Sequence, residues 1–100
     1  LCVIKDFGRD SRGVLSFPRP GITLALDIAV RDDTQALVDA LNEQVLREGG
    51  RIYLAKDSFT RREHFVAMVG ARLTEFQEIR DRCDPERKFR SAQSVSILGD

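Results

Sequence analysis

A phenol and an ammonium, Tyr53 and Lys56, stand three residues apart in the run Gly49-Gly50-Arg51-Ile52-Tyr53-Leu54-Ala55-Lys56-Asp57-Ser58. A tyrosine hydroxyl both donates and accepts hydrogen bonds, and a lysine brings a point charge that becomes a proton acceptor where burial lowers its pKa. Paired glycines after a helical segment fit a helix end, and the apolar run behind them reads as a strand that stops at Lys56, with Asp57 and Ser58 turning the chain. Strict alternation sends residues three apart to opposite faces, so the two side chains share a site only if the strand ends or bulges between them. The structural alternative is a tyrosine packed on a sheet and a lysine in solvent.

A second group of interest is Lys5 with the small residues Thr23, Ala25 and Asp27. Residues 1–7 alternate, with Leu1, Val3, Lys5 and Phe7 on one face and Cys2, Ile4 and Asp6 on the other. Residues 22–30 alternate more sharply. Ile22, Leu24, Leu26, Ile28 and Val30 make one aliphatic face, while Thr23, Ala25, Asp27 and Ala29 make a face of small side chains that takes a close neighbour or leaves room for a ligand. Asp27 there must be paired or wet. Elsewhere chemistry is sparse: one histidine, His64, beside Glu63 in a first helical turn and read as exposed, no nucleotide-binding glycine motif, and no metal-ligand spacing.

These groups need elements to hold them. Residues 8–13 read as a polar loop, 14–17 as a short extended piece, and Pro18-Arg19-Pro20-Gly21 as a stop that sets the entry of the next strand. Asp32 and Asp33 supply an N-cap and negative charge for a helix over 34–48, with Leu37, Leu41 and Val45, flanked by Val38 and Leu46, as its core-facing stripe. Thr60-Arg61-Arg62-Glu63 reads as a capping box for a second helical region that carries Phe65, Met68, Val69, Leu73, Phe76 and Ile79, breaks at Gly70 and ends at Asp84-Pro85. The tail over 87–100 carries weak order signals and is expected to lie against another surface. Strand, strand, helix, strand, helix predicts an α+β fold, a small antiparallel sheet with helices on one face.

One hundred residues make one small domain, and 42% hydrophobic with 32% charged residues describes an ordinary globular chain. Sixteen basic and sixteen acidic residues are interspersed, so no sustained positive field exists for nucleic acid, and the arginines at 61, 62 and 80–90 read as solvated helix faces. No run approaches a membrane span, and two distant cysteines, Cys2 and Cys83, fit free thiols in the reducing cytoplasm. The chain opens at Leu1, already inside a strand-like run, and is expected to be a piece of something longer.

Three segments change the weight of these observations: Val3-Ile4-Lys5-Asp6-Phe7-Gly8, Leu15-Ser16-Phe17-Pro18-Arg19-Pro20-Gly21, and the Gly49 to Ser58 run, followed by Asp84-Pro85 with Phe89-Arg90-Ser91. Together they resemble the C-terminal part of FAD-linked oxidases of the vanillyl-alcohol oxidase superfamily. The resemblance covers nearly the whole chain, is specific between Gly49 and Ser58, and is loose in the helices. It implies a parent enzyme that oxidises a sugar or sugar-like alcohol, with most of the FAD held by a separate N-terminal domain absent from these residues. On that pattern Lys56 is the catalytic lysine at flavin and substrate, Tyr53 contacts the cofactor, and Lys5, Thr23 and Ala25 line the substrate pocket. Thr23 and Ala25 depart from the asparagine and cysteine found there in one such oxidase. The other function class that the residues permit is a stand-alone α+β module that binds a partner or dimerises through its sheet.

Overall fold

A computed structural model describes residues 1–56 and 58–100. Two strands, β1 (Cys2–Phe7) and β2 (Gly21–Leu26), pair antiparallel, with Cys2 opposite Leu26 and Phe7 opposite Gly21. Among the described residues four α-helices follow: α1 (Thr34–Arg47), α2 (Arg62–Val69), α3 (Arg72–Cys83) and α4 (Ala92–Leu98). The expected α+β class stands. The helices form their own cluster around α2, however, and among the described residues none packs against the ribbon.

Local chemistry accounts for most boundaries. Asp33 is the N-cap of α1, as the sequence predicted, but without a side-chain cap bond; Thr34 ties the preceding chain to the helix by accepting the Arg31 amide at 2.7 Å and donating to the Ala29 carbonyl. Gly49, at φ +68°, lets the amides of Gly49 and Gly50 fold back onto the carbonyls of Leu46 and Val45, which closes the helix. Gly70, at φ +56°, separates α2 from α3 where the sequence predicted a break. Asp84 ends α3: its carboxylate accepts the amides of Lys88 and Phe89, both at 2.9 Å, across the turn that follows.

Several expectations are corrected. The segment before Ser58 is a 3₁₀ turn at Leu54–Lys56 and not a strand; the expected turn residue Asp57 lies outside the described residues. β2 stops at Leu26, so Ile28 and Val30 do not extend the aliphatic face. Thr60 does not cap α2, whose N-cap is Arg61 without a side-chain cap bond; Asn42 instead donates to the Thr60 hydroxyl at 3.1 Å. The tail is more ordered than expected. Ser91 and Ser94 form a reciprocal capping box that opens α4, and Gly99 follows it in the left-handed region.

The core is small. Phe65, Val69 and Ile97 are buried, ringed by Leu15, Leu54, Met68, Leu73 and Leu98. α1 turns a largely polar side to the segment that leads into α2: Gln35 donates to the Phe59 carbonyl, Asp39 takes Arg61, and Asn42 donates to Thr60. Leu37 and Leu41, expected in the core, are left on the outside. Hydrogen-bonding groups with fixed partners selected the inner side of the helix over its two best hydrophobes.

Candidate functional site

Strand register builds the first half of the site. Lys5 lies directly opposite Thr23 and Val3 opposite Ala25, and directly opposed residues share a face of an antiparallel pair. Lys5, Thr23 and Ala25 are therefore neighbours on one side of the ribbon, with Phe7 at its end. Lys5 and Ala25 are exposed and Thr23 is half-buried. Asp27, just past the end of β2, is solvated, which satisfies its charge.

Aromatic rings connect this face to the second half. Phe7 meets Phe17 edge-on at 5.9 Å between centroids, and Phe17 meets the half-exposed Tyr53 at 5.0 Å. The predicted cofactor residue is thus brought to the ribbon side that carries the predicted substrate residues. Lys56 is exposed at the end of the 3₁₀ turn. Tyr53 precedes the 3₁₀ turn, so the strict strand alternation that sends Tyr53 and Lys56 to opposite faces does not govern the pair. α4 supports the turn from behind, Gln93 donating to the Leu54 carbonyl at 2.7 Å, and the Ile52 amide points at the Met68 sulfur.

Besides the turn bond from the Ser16 amide to the Gly13 carbonyl, arginines hold the carbonyls of the loop that bears Phe17. Arg51 Nη1 lies 3.0 Å from the Ser16 carbonyl and 3.1 Å from that of Pro18, with the Phe17 carbonyl at 3.4 Å and the Asp10 carboxylate at 3.3 Å. Arg72 holds the Val14 carbonyl and Arg19 that of Gly49. Between ribbon, loop and the end of α1 lies a cleft of about 220 Å³, walled by Phe7, Phe17, Arg19, Thr23, Gly50 and Arg51. The sequence pointed to Tyr53 and Lys56 and passed over Arg51, whose position directly after two glycines was the available signal.

The remaining charged groups are structural. Asp39 is held below the usual carboxylate range, first by the hydrogen bond from Arg61, and its other oxygen accepts from Gln35. His64, expected to be exposed, is largely covered, with Nδ1 4.0 Å from Asp39. Arg80 pairs with Asp100 and Arg87 with Asp81, while Arg62 donates to the Ile97 carbonyl, so these arginines tie elements together and are not a free solvated face. Cys2 and Cys83 are free and exposed. Among the described residues no group of three or more His, Cys, Asp or Glu is placed to hold a metal ion, and no helix is long and apolar enough to cross a membrane.

No family model matches the chain. It is 41% identical, over 98% of its length, to decaprenylphosphoryl-β-D-ribose oxidase of Mycolicibacterium smegmatis. To an uncharacterised protein of Streptomyces coelicolor it is 42% identical over 89% of its length. The chain covers 22% of the first protein and 24% of the second, so it spans less than a quarter of these curated relatives. The resemblance read from the motifs is borne out by a relative that is itself an oxidase.

Proposed function

We propose that this chain works as the C-terminal part of an FAD-dependent oxidoreductase of the cytoplasm, whose FAD-binding domain lies elsewhere in the parent polypeptide and whose substrate is a sugar or sugar-like alcohol. The observation that carries this reading is the convergence of Lys5, Thr23 and Ala25 with Tyr53 on one side of the ribbon, in a chain 41% identical to an oxidase. The donor set fits the polar edge of a planar heterocycle: an ammonium at Lys56 and a phenol at Tyr53. Among the described residues no glycine-rich turn opens a helix, the usual cradle for a pyrophosphate.

When bound, the flavin supplies the acceptor for a hydride leaving the alcohol carbon. Lys56 places a positive charge where negative charge gathers as the hydride departs, and electrostatic help of this kind acts on the rate more than on binding. The hydroxyl proton would leave to solvent as the hydride goes to the flavin, and the Lys56 ammonium would donate to the oxygen that becomes the carbonyl, which orients the carbon that loses the hydride. Lys5 and the Thr23 hydroxyl offer hydrogen bonds to sugar hydroxyls, and Ala25 leaves room between them. On this reading the chain alone is inactive. In the full-length parent, Lys56→Ala is expected to slow flavin reduction by substrate on the order of 100-fold or more, with the flavin still bound. Reduction at a near-parental rate would overturn the assignment.

A second reading, a stand-alone module that dimerises through its sheet, is favoured by one observation: the aliphatic ribbon face of Ile4, Ile22, Leu24 and Leu26 is exposed. The reading frame around the chain separates the two. A frame that runs on into an FAD-binding domain supports the oxidase, and a start codon at the chain with no such domain supports the module.

A further inference from the structure

Resting on the function proposed above, we infer that Arg51 is a positioning residue that sets the distance between the two halves of the site by fixing Phe17. The ribbon carrying Lys5, Thr23 and Ala25 has no helix packed on it among the described residues, so its placement relative to Tyr53 depends on the loop between β1 and β2. Within that loop Phe17 is the one ring that touches both sides, Phe7 on the ribbon and Tyr53 before the 3₁₀ turn.

What holds Phe17 is the guanidinium of Arg51. A terminal guanidinium nitrogen has two hydrogens, and the shorter contacts, to the carbonyls of Ser16 and Pro18, flank Phe17 on both sides. The Arg51 side chain is only 19% exposed, and Asp10 balances its charge. Arg51 is also two residues from Tyr53 along the chain, so a shift of the loop and a shift of the tyrosine are one movement. Arg19, by contrast, is exposed and reaches a single carbonyl. Arg51 walls the same cleft as Thr23, but its hydrogen bonds go to the carbonyls on either side of Phe17, and it acts through that ring.

The test uses the full-length protein. A fluorotyrosine in place of Tyr53 gives a fluorine resonance that reports the neighbouring ring whether or not turnover occurs. Arg51→Ala and Phe17→Leu are each expected to move that resonance and to slow flavin reduction on the order of 10- to 100-fold, the scale of a misplacement near 1 Å. The double variant should be no slower than the slower single one, because both changes break one link. Phe17→Tyr keeps the ring and should restore most of the rate. If Arg51→Ala does not accumulate as folded protein, Arg51→Lys, which keeps the charge beside Asp10 and gives up the planar fork, carries the same expectation. An unmoved resonance, or losses that multiply in the double variant, would overturn the inference. A moved resonance in a protein whose flavin reduction ignores Lys56→Ala would leave Arg51's hold on Tyr53 standing and overturn the proposed function instead.

Discussion

Arg80 and Asp100 meet as a fork on a carboxylate, with Nη1 2.6 Å from one oxygen and Nη2 hydrogen-bonded to the other, and both side chains are nearly covered. The guanidinium holds the Asp100 pKa down to about 2, below its ordinary 3.8. A depressed pKa means that the unfolded chain binds the proton more readily, so the stabilisation is complete above the unfolded value and drains away as pH falls through the folded one. Denaturation midpoints measured across about pH 5 to 2 should therefore fall, and Asp100→Asn should be less stable at the upper end and flatter across that window. An unchanged slope in Asp100→Asn would count against the pair. Spacing showed that these arginines were mixed with acids, but Asp100 is twenty positions from Arg80. Only the fold could say which acid each arginine finds.

Elements show the same division. Gly70 could be read from the chain as the break between α2 and α3 because it interrupts a helical stripe, and its φ of +56° with ψ of −134° is a conformation that side chains resist. A methyl group there meets nothing within 4 Å, so the whole penalty lies in the backbone. Gly70→Ala is expected to destabilise the protein by about 1–3 kcal/mol in chemical denaturation, and a change near zero would show that the corner tolerates another path. α4 is the opposite case. Ser91, Ser94 and Gly99 mark its ends, but seven residues have too little periodicity to be read unaided, and the helix exists because Ile97 enters the core beside Phe65 and Val69. The 3₁₀ turn at Leu54–Lys56 was equally hidden: an apolar run of strand composition is pulled into a tight turn, with the Gln93 side chain bonded to one of its carbonyls.

Taken whole, the molecule is spread out for its size. Its radius of gyration is 14.6 Å, against about 13 Å for a compact chain of 100 residues. Among the described residues only three hydrophobic side chains are buried, while Ile4, Ile22 and Leu24 are at least 60% exposed on one ribbon face. Such a face draws a partner. The chain on its own is expected to self-associate in light scattering, and Ile4→Lys with Leu24→Lys should shift it toward monomer; a clean monomer of the unaltered chain would contradict this.

By itself the sequence determined the alternation of β1 and β2, the extents of α1 and of the α2–α3 pair, the glycine corners, and a chemical short list of Tyr53, Lys56, Lys5, Thr23 and Ala25. Those are local matters, set by periodicity and by the backbone preferences of single residues. Tertiary structure alone decided that α1 turns Asn42 and not Leu41 inward, that Lys56 ends a 3₁₀ turn, and that Phe17 joins the ribbon to Tyr53 under the grip of Arg51. Each of these depends on a partner more than fifteen residues away, and hydrogen-bond satisfaction between distant segments leaves no periodic trace in either one.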